Sequence, residues 1–545
     1  MMSFQFRSSS RPRLIPAVAV VLTATTAWLL LLAIAAEHIP MISIEFPTMA
    51  SRLTTLFAPP LLAATTGFFV LWGMASNRTE AAEQRQHQTE QVQAQHEIEH
   101  QDRHRRFTLE IRGVGLTLHR FRQGRLWEAI DKRNDAFQSP LSQNPQDYEW
   151  SDRGRSQDYD KREADAFEST LNGWVERWPI PILVAGPVSL DAPALRINRG
   201  RQNGGMAIHL FTVLDQREGD GSDQLIAQLF DFFDRHPQLP AAVLLSGDSQ
   251  ELRATRIRNG HFVPTIPDSI VALLVTRSDR VDRDIRPYVV DVPYDINKLD
   301  TQYDVIQLWH DYWNADTAYH KLPDNHTTMP WQFWHEHQQK LIARIDPDGS
   351  QGQLLAFWKR KAGFKPSPWV PVRWTEWQLR QYDNAPLLGY LHRPVEVPLD
   401  APTGPQGDRH RAAAMAEAWK QALATLPEGA APQRLFYDTA GEGRRLIPLA
   451  LAMSAEATPN PLAIDDPANS YDLTRRVADT GVSSPFVQLA LALMRSYHQG
   501  GASATINLRE DARASIVMVS PPSNAQKTAN PRQPDPFFNP NAPRF

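Results

Sequence analysis

The stretch Asp223-Gln-Leu-Ile-Ala-Gln-Leu-Phe-Asp-Phe-Phe-Asp-Arg-His236 lies between two apolar runs, Met206-Ala-Ile-His-Leu-Phe-Thr-Val-Leu214 and Ala242-Val-Leu-Leu245. Its Leu225, Ile226, Leu229, Phe230 and Phe233 recur at the spacing that gives a helix one apolar face. The flanking runs are short, aliphatic and bounded by turn residues, which reads as buried strands. Pro181-Ile-Leu-Val-Ala185 and Ile270-Val-Ala-Leu-Leu-Val275 add two more runs of the same kind. Strands alternating with a helix predict an α/β fold class.

Working outward, Phe107 to Leu118 alternates in places, and Gly113-Val-Gly115 suggests a strand or turn close to another backbone. Asp304 to Ala318 and Trp331 to Ile345 read as helices, and the proline-dense Lys365-Pro-Ser-Pro-Trp-Val-Pro371 as a boundary. A second α/β pattern follows. It comprises a helix from His410 to Leu426, the strand Arg434-Leu-Phe-Tyr437, a helix from Phe486 to His498, and strands at Ala504 to Leu508 and Ala514 to Ser520. The soluble region is therefore expected in two α/β parts, 107–365 and 366–520. No short-period repeat is visible. The Pro/Asn-rich 521–545 is expected to be a disordered tail. Residues 77–106 read as a polar stalk. There His96, His100 and His104 share one helical face, a pattern better explained as a solvated surface than as a metal site.

At the N-terminus, Leu14 to Ala36 and Leu53 to Ser76 run without a charge. Each exceeds the roughly 20 residues that a helix needs to cross a bilayer. Two membrane-spanning helices are thus expected at about 14–36 and 53–76, making 1–76 an anchor. Arg7, Arg11 and Arg13 precede the first run, and Arg78, Arg85, Arg103, Arg105 and Arg106 follow the second. By the positive-inside rule both ends face the cytoplasm, which predicts a multi-pass protein of the bacterial inner membrane with its soluble region cytoplasmic.

Composition excludes several chemistries. The 545 residues carry 42% hydrophobic and 22% charged side chains, which is globular, and a net charge of −4, which gives no basic field for nucleic acid. With no cysteine, a thiolate nucleophile, an iron–sulfur cluster and cysteine-ligated zinc are impossible. No phosphate-loop motif occurs, and Arg199-Gly-Arg-Gln-Asn-Gly-Gly205 lacks the glycine spacing of a dinucleotide fingerprint. No cofactor is implied.

Two local patterns invite chemistry. Gly247-Asp-Ser249 follows an apolar strand as a nucleophile elbow would, but Glu251 stands where such an elbow needs a small residue. Trp334-His335-Glu336-His337 has its histidines two apart, which points them to different sides of a helix. The positive anomaly is aromatic. Of 15 tryptophans, eight fall between Trp309 and Trp377. Trp369, Trp374 and Trp377 stand amid prolines and charges, so they are candidate partner-binding residues, with core packing as the competing reading.

Four further stretches carry a family likeness. They are His119-Arg-Phe-Arg-Gln-Gly-Arg-Leu-Trp127, Ile182-Leu-Val-Ala-Gly-Pro-Val-Ser-Leu190, Leu388-Gly-Tyr-Leu-His-Arg-Pro-Val395 and Asp479-Thr-Gly-Val-Ser-Ser-Pro-Phe-Val-Gln-Leu-Ala-Leu491. Together they resemble the bacterial type VI lipase adapter family over most of Phe107 to Ser520. The resemblance implies a cytoplasmic, non-enzymatic adapter or chaperone that brings a lipase or phospholipase effector to the spike of a type VI secretion machine. It carries over no catalytic residue. Asp479-Thr-Gly481 ahead of a small-residue helix also resembles the C-terminal half of thiolase-like proteins such as ketoacyl synthases, whose cysteine nucleophile this chain lacks. Two alternatives stand beside the adapter: a membrane-anchored enzyme (a Ser hydrolase around Ser249, or a thiolase-like acyl transferase), and a structural membrane component whose helices pack with other subunits.

Overall fold

The computed structural model describes residues 22–31, 33–34, 58–63, 65–70, 102, 104–132, 138–171, 173–187, 209–213, 221–253, 258–290, 304–323, 328–343, 363–531 and 535–537. The chain divides into two units, Met1–Arg103 and His104–Phe545.

In the first unit the described residues 22–31, 33–34, 58–63 and 65–70 are helical. Among the described residues no helix is long and apolar enough to cross a membrane. This corrects the expected spans at 14–36 and 53–76, and with them the multi-pass inner-membrane placement and the membrane-component alternative. Freedom from charge makes a segment tolerable to lipid. Crossing also needs an unbroken helix of about 20 residues, because each residue advances only ~1.5 Å along the axis. The remainder of both runs, and His96 and His100 of the stalk, lie outside the described residues.

The second unit is a mixed α/β structure. Its strands are β1 (Thr108–Leu118), β2 (Phe121–Arg122), β3 (Pro179–Ala185), β4 (His209–Thr212), β5 (Ala241–Asp248), β6 (Ser269–Thr276), β7 (Gly389–His392), β8 (Val395–Pro398), β9 (Pro432–Asp438), β10 (Ser470–Asp472), β11 (Ala502–Asn507) and β12 (Arg513–Ser520). They join in one 12-stranded sheet of order β10-β9-β11-β12-β7-β1-β6-β5-β3-β4, with β2 on β1 and β8 on β12. The stretches 107–365 and 366–520 thus contribute to a single sheet, joined where β1 pairs antiparallel with β7.

The sheet repeats itself. β1-β6-β5-β3-β4 and β7-β12-β11-β9-β10 share one order, in which the first two pairings are antiparallel and the last two parallel. The corresponding helices Gln224–Arg235 and Ser484–Gln499 precede β5 and β11. On the first, Leu225, Ile226, Leu229, Phe230 and Phe233 are all buried, as their spacing requires, and Phe232 joins them. The second is buried almost throughout, which suits its small residues. Gly113 and Gly115 of β1 lie against the helix Asp152–Leu171. A Cβ on them would come 2.1 Å from the Thr170 carbonyl oxygen and 1.8 Å from that of Ala166. No side chain fits there, so glycine sets the helix–strand distance.

The described part of the expected disordered tail is packed. Ser523 caps the helix Asn524–Thr528 with Gln526 in a reciprocal capping box. Asn530 donates through Nδ2 to the Leu387 carbonyl (3.1 Å) and the Tyr497 hydroxyl (2.7 Å), and its Oδ1 accepts from Leu387 N (3.0 Å). Phe537 is buried edge-on to Tyr497, at 5.4 Å between ring centroids. A few specific contacts hold what composition alone would release.

Candidate functional site

The candidate tryptophans are core residues, which corrects the partner-surface reading of them. Trp369, Trp374 and Trp377 are 7%, 1% and 6% exposed. Trp369 packs against Phe211, Phe232, His236 and Trp331. Trp374 meets Trp178 at 5.4 Å and Tyr382 at 5.9 Å between centroids. The prolines and charges around them shape the chain's entry into the core and leave almost no indole surface for a partner.

Ser249 follows β5 and opens the short helix Gln250–Arg253. It is fully buried, and its Oγ accepts from Leu252 N at 3.0 Å, the bond of a helix N-cap. Among the described residues no histidine hydrogen-bonds it. His337 bonds Asp311 (2.9 Å), His335 lies against Trp331, and His104 bonds Asp234 (3.0 Å), so these histidines do not converge.

The carboxyl ends of β5 and β9, where open α/β sheets usually leave a ligand crevice, are filled by Asp479–Ser484. Val482 N donates to Asp248 Oδ2 (2.7 Å), whose carboxylate also receives Arg253 at 2.6 Å. Ser483 bonds Ser246 (3.2 Å) and the Ser269 carbonyl (3.0 Å), while Ser222 Oγ donates to the Val482 carbonyl (2.6 Å). Toward the other half of the sheet, Arg509 Nη1 bridges Asp438 (2.9 Å) and Asp479 (3.0 Å). Asp438 further accepts from Thr474 (2.6 Å), Ala440 N (2.9 Å) and Ser484. Gly481 sits at φ +56°, and a Cβ there would lie 2.0 Å from Asp248 Oδ2, so the crossing requires glycine.

Concave, reachable surface lies beside this junction. A cleft of about 510 Å³ is lined by residues that include His119, Tyr148, Trp150, Arg155, Glu251 and Asp268. Arg155 organises its wall. Its guanidinium donates to the carbonyls of Glu149 (3.0 Å), Trp150 (3.1 Å), Gly260 (3.3 Å) and Arg258 (3.0 Å) and stacks over Phe262 at 4.8 Å. Trp150, which this wall presents, is 50% exposed. His119, in the left-handed region at φ +46°, lies tilted against the Tyr148 ring at 4.7 Å between centroids. Burial, with Arg162 and Arg120 nearby, pushes the His119 imidazole down to about 4, so it is neutral at pH 7. Burial and the neighbouring Asp152 push Glu251 up to about 7, against the pull of Arg155.

That shift has a testable sign. The folded protein keeps a proton on Glu251 up to about pH 7, whereas the unfolded chain releases it near its ordinary 4.5. Stability therefore falls as pH rises across that window. Glu251→Gln is expected to be more stable than the parent at pH 8, by about 1 kcal/mol after solvent screening, and to match it at pH 4. Urea midpoints at both pH values check this.

In the sequence His119 and Arg120 stand only within a family-like stretch, and no local pattern there marks a cleft. The available signal was Trp150, a lone large indole in the polar stretch 145–158.

Two family models match the chain, together over more than half its length: type VI lipase adapter protein Tla3, N-terminal, over residues 107–267, and type VI lipase adapter protein Tla3, C-terminal, over 388–521. Among solved structures, the chain is similar to a Streptomyces albus JA3453 oxazolomycin ketosynthase domain (8% identity, 77% of this chain and 96% of that one, TM-score 0.39). It is also similar to the ketosynthase from module 1 of the Bacillus amyloliquefaciens FZB42 bacillaene synthase (7%, 76% and 76%, 0.39). A third is 3-oxoacyl-[acyl-carrier-protein] synthase III from Aquifex aeolicus VF5 (10%, 76% and 99%, 0.32).

Proposed function

Since the chain belongs to the type VI lipase adapter family, we propose that it is a non-enzymatic carrier that holds a type VI lipase effector and hands it to the secretion spike. Its mechanism is stoichiometric. The carrier binds the folded or partly folded effector, covers its lipid-seeking surface, and releases it on docking. The observation that carries this reading is the filling of the strand-end crevice by Asp479–Ser484. A buried junction held by its own hydrogen bonds and ion pairs serves rigidity, and it occupies the place where open α/β sheets usually hold a ligand. The burial of Ser249 as a helix cap weighs against the hydrolase alternative in the same way.

The cleft beneath Trp150 is the surface best suited to the effector, because its half-exposed indole is held in place by Arg155. Losing a tryptophan anchor costs an interface about 2 kcal/mol or more, which is roughly thirtyfold in affinity. Affinity capture from cells expressing a type VI lipase effector is expected to recover lipase and spike protein. Trp150→Ala should weaken lipase capture by that factor with unfolding unchanged. Recovery of neither protein with the parent chain would overturn the carrier reading. Undiminished capture by Trp150→Ala would move the contact away from the cleft.

A further inference from the structure

We propose that Arg434, Arg476 and Arg495 form a binding site for an oxyanion at the β10 edge of the sheet. The three come from β9, from the short helix Leu473–Arg476 and from the helix Ser484–Gln499. They gather about an aromatic group in which Phe436 stacks on Tyr471 at 4.7 Å and Trp127 meets Tyr471 at 5.5 Å. Arg476 lies over the Tyr471 ring at 5.2 Å and Arg495 over the Trp127 ring at 4.9 Å.

The site is under-satisfied. Arg434 is 4% exposed, yet its Nε and Nη1 have no hydrogen-bond partner, and the Nε atoms of Arg476 and Arg495 have none either. Arg434 spends only Nη2, on Gln433 Oε1 at 3.4 Å. Burial, reinforced by Arg495, lowers the Arg434 pKa from its ordinary value. Among the described residues, the one carboxylate in ion-pair reach of the three is Asp131, 3.3 Å from Arg495 and with its side chain 55% exposed. Arg476 Nη2 donates to the Pro467 carbonyl. Buried guanidinium N–H groups left without acceptors are costly, and planar arginine forks match carboxylate and phosphate oxygens. An oxyanion displacing the exposed Asp131 carboxylate would supply the missing acceptors. Its source is a phosphoryl group or a carboxylate of a bound protein.

The full chain is titrated with sodium phosphate, sodium acetate or sodium chloride at matched ionic strength while thermal unfolding is followed. Phosphate is expected to raise the midpoint above chloride. An equal rise with acetate assigns the site to carboxylates, and no rise with acetate assigns it to phosphoryl groups. Asp131→Asn, which removes the competing carboxylate from an exposed position, should tighten phosphate binding several-fold. Arg434→Met should weaken it about tenfold, the loss of one charged hydrogen-bond pair, whereas Arg409→Met, an equal charge change at an exposed position, should not. Superimposed curves in all three salts overturn the proposal. So does a phosphate effect that is the same in Asp131→Asn, Arg434→Met and Arg409→Met, which would mark an adventitious ion only.

Discussion

Trp374→Ala is expected to destabilise the protein by roughly 3–5 kcal/mol, the range for deleting a fully buried aromatic. The indole is 1% exposed and wedged between Trp178 and Tyr382. The adjoining backbone is also committed, since Val290 N donates to the Trp374 carbonyl at 2.9 Å. Neighbours fixed in this way can close little of the cavity. Denaturant unfolding measures the loss, and lipase capture by the surviving folded fraction should be unchanged. Normal stability with lost capture would instead place this indole on a partner surface.

Arg509→Met is expected to cost a similar 3–5 kcal/mol, because it leaves a buried carboxylate without its counter-charge. Asp438 is fully buried and Arg509 nearly so. The same guanidinium holds Asp479, the first residue of the segment that ties both halves of the sheet together. Adding Asp438→Leu should recover part of the loss, since replacing both members of a buried pair costs less than removing one. A double variant no more stable than Arg509→Met would assign the loss to packing alone.

Much of the architecture was legible in residue spacing. Leu225 to Phe233 declared a helix and the aliphatic runs at 242–245 and 270–275 declared strands, because burial on one face is written directly as period. The helix Asp152–Leu171 was missed. Its buried set of Tyr159, Ala166, Phe167 and Leu171 is interrupted by the buried Glu163 and Asp165, so no clear apolar stripe survives. The two N-terminal runs show the converse error. Their hydropathy predicts spanning helices, whereas among the described residues no helix is long and apolar enough to cross a membrane.

The sequence by itself determined the α/β class, the exclusion of cysteine chemistry and the family, since these depend on composition, local period and motif. The joining of both stretches into one sheet was decided by tertiary structure, as were the burial of Trp369, Trp374 and Trp377, the filling of the strand ends by Asp479–Ser484 and the gathering of Arg434, Arg476 and Arg495. The physical reason is distance along the chain. Each of these features depends on groups far apart in sequence, such as Asp248 with Val482 or Asp131 with Arg495. No local pattern records which partner a long-range contact will find.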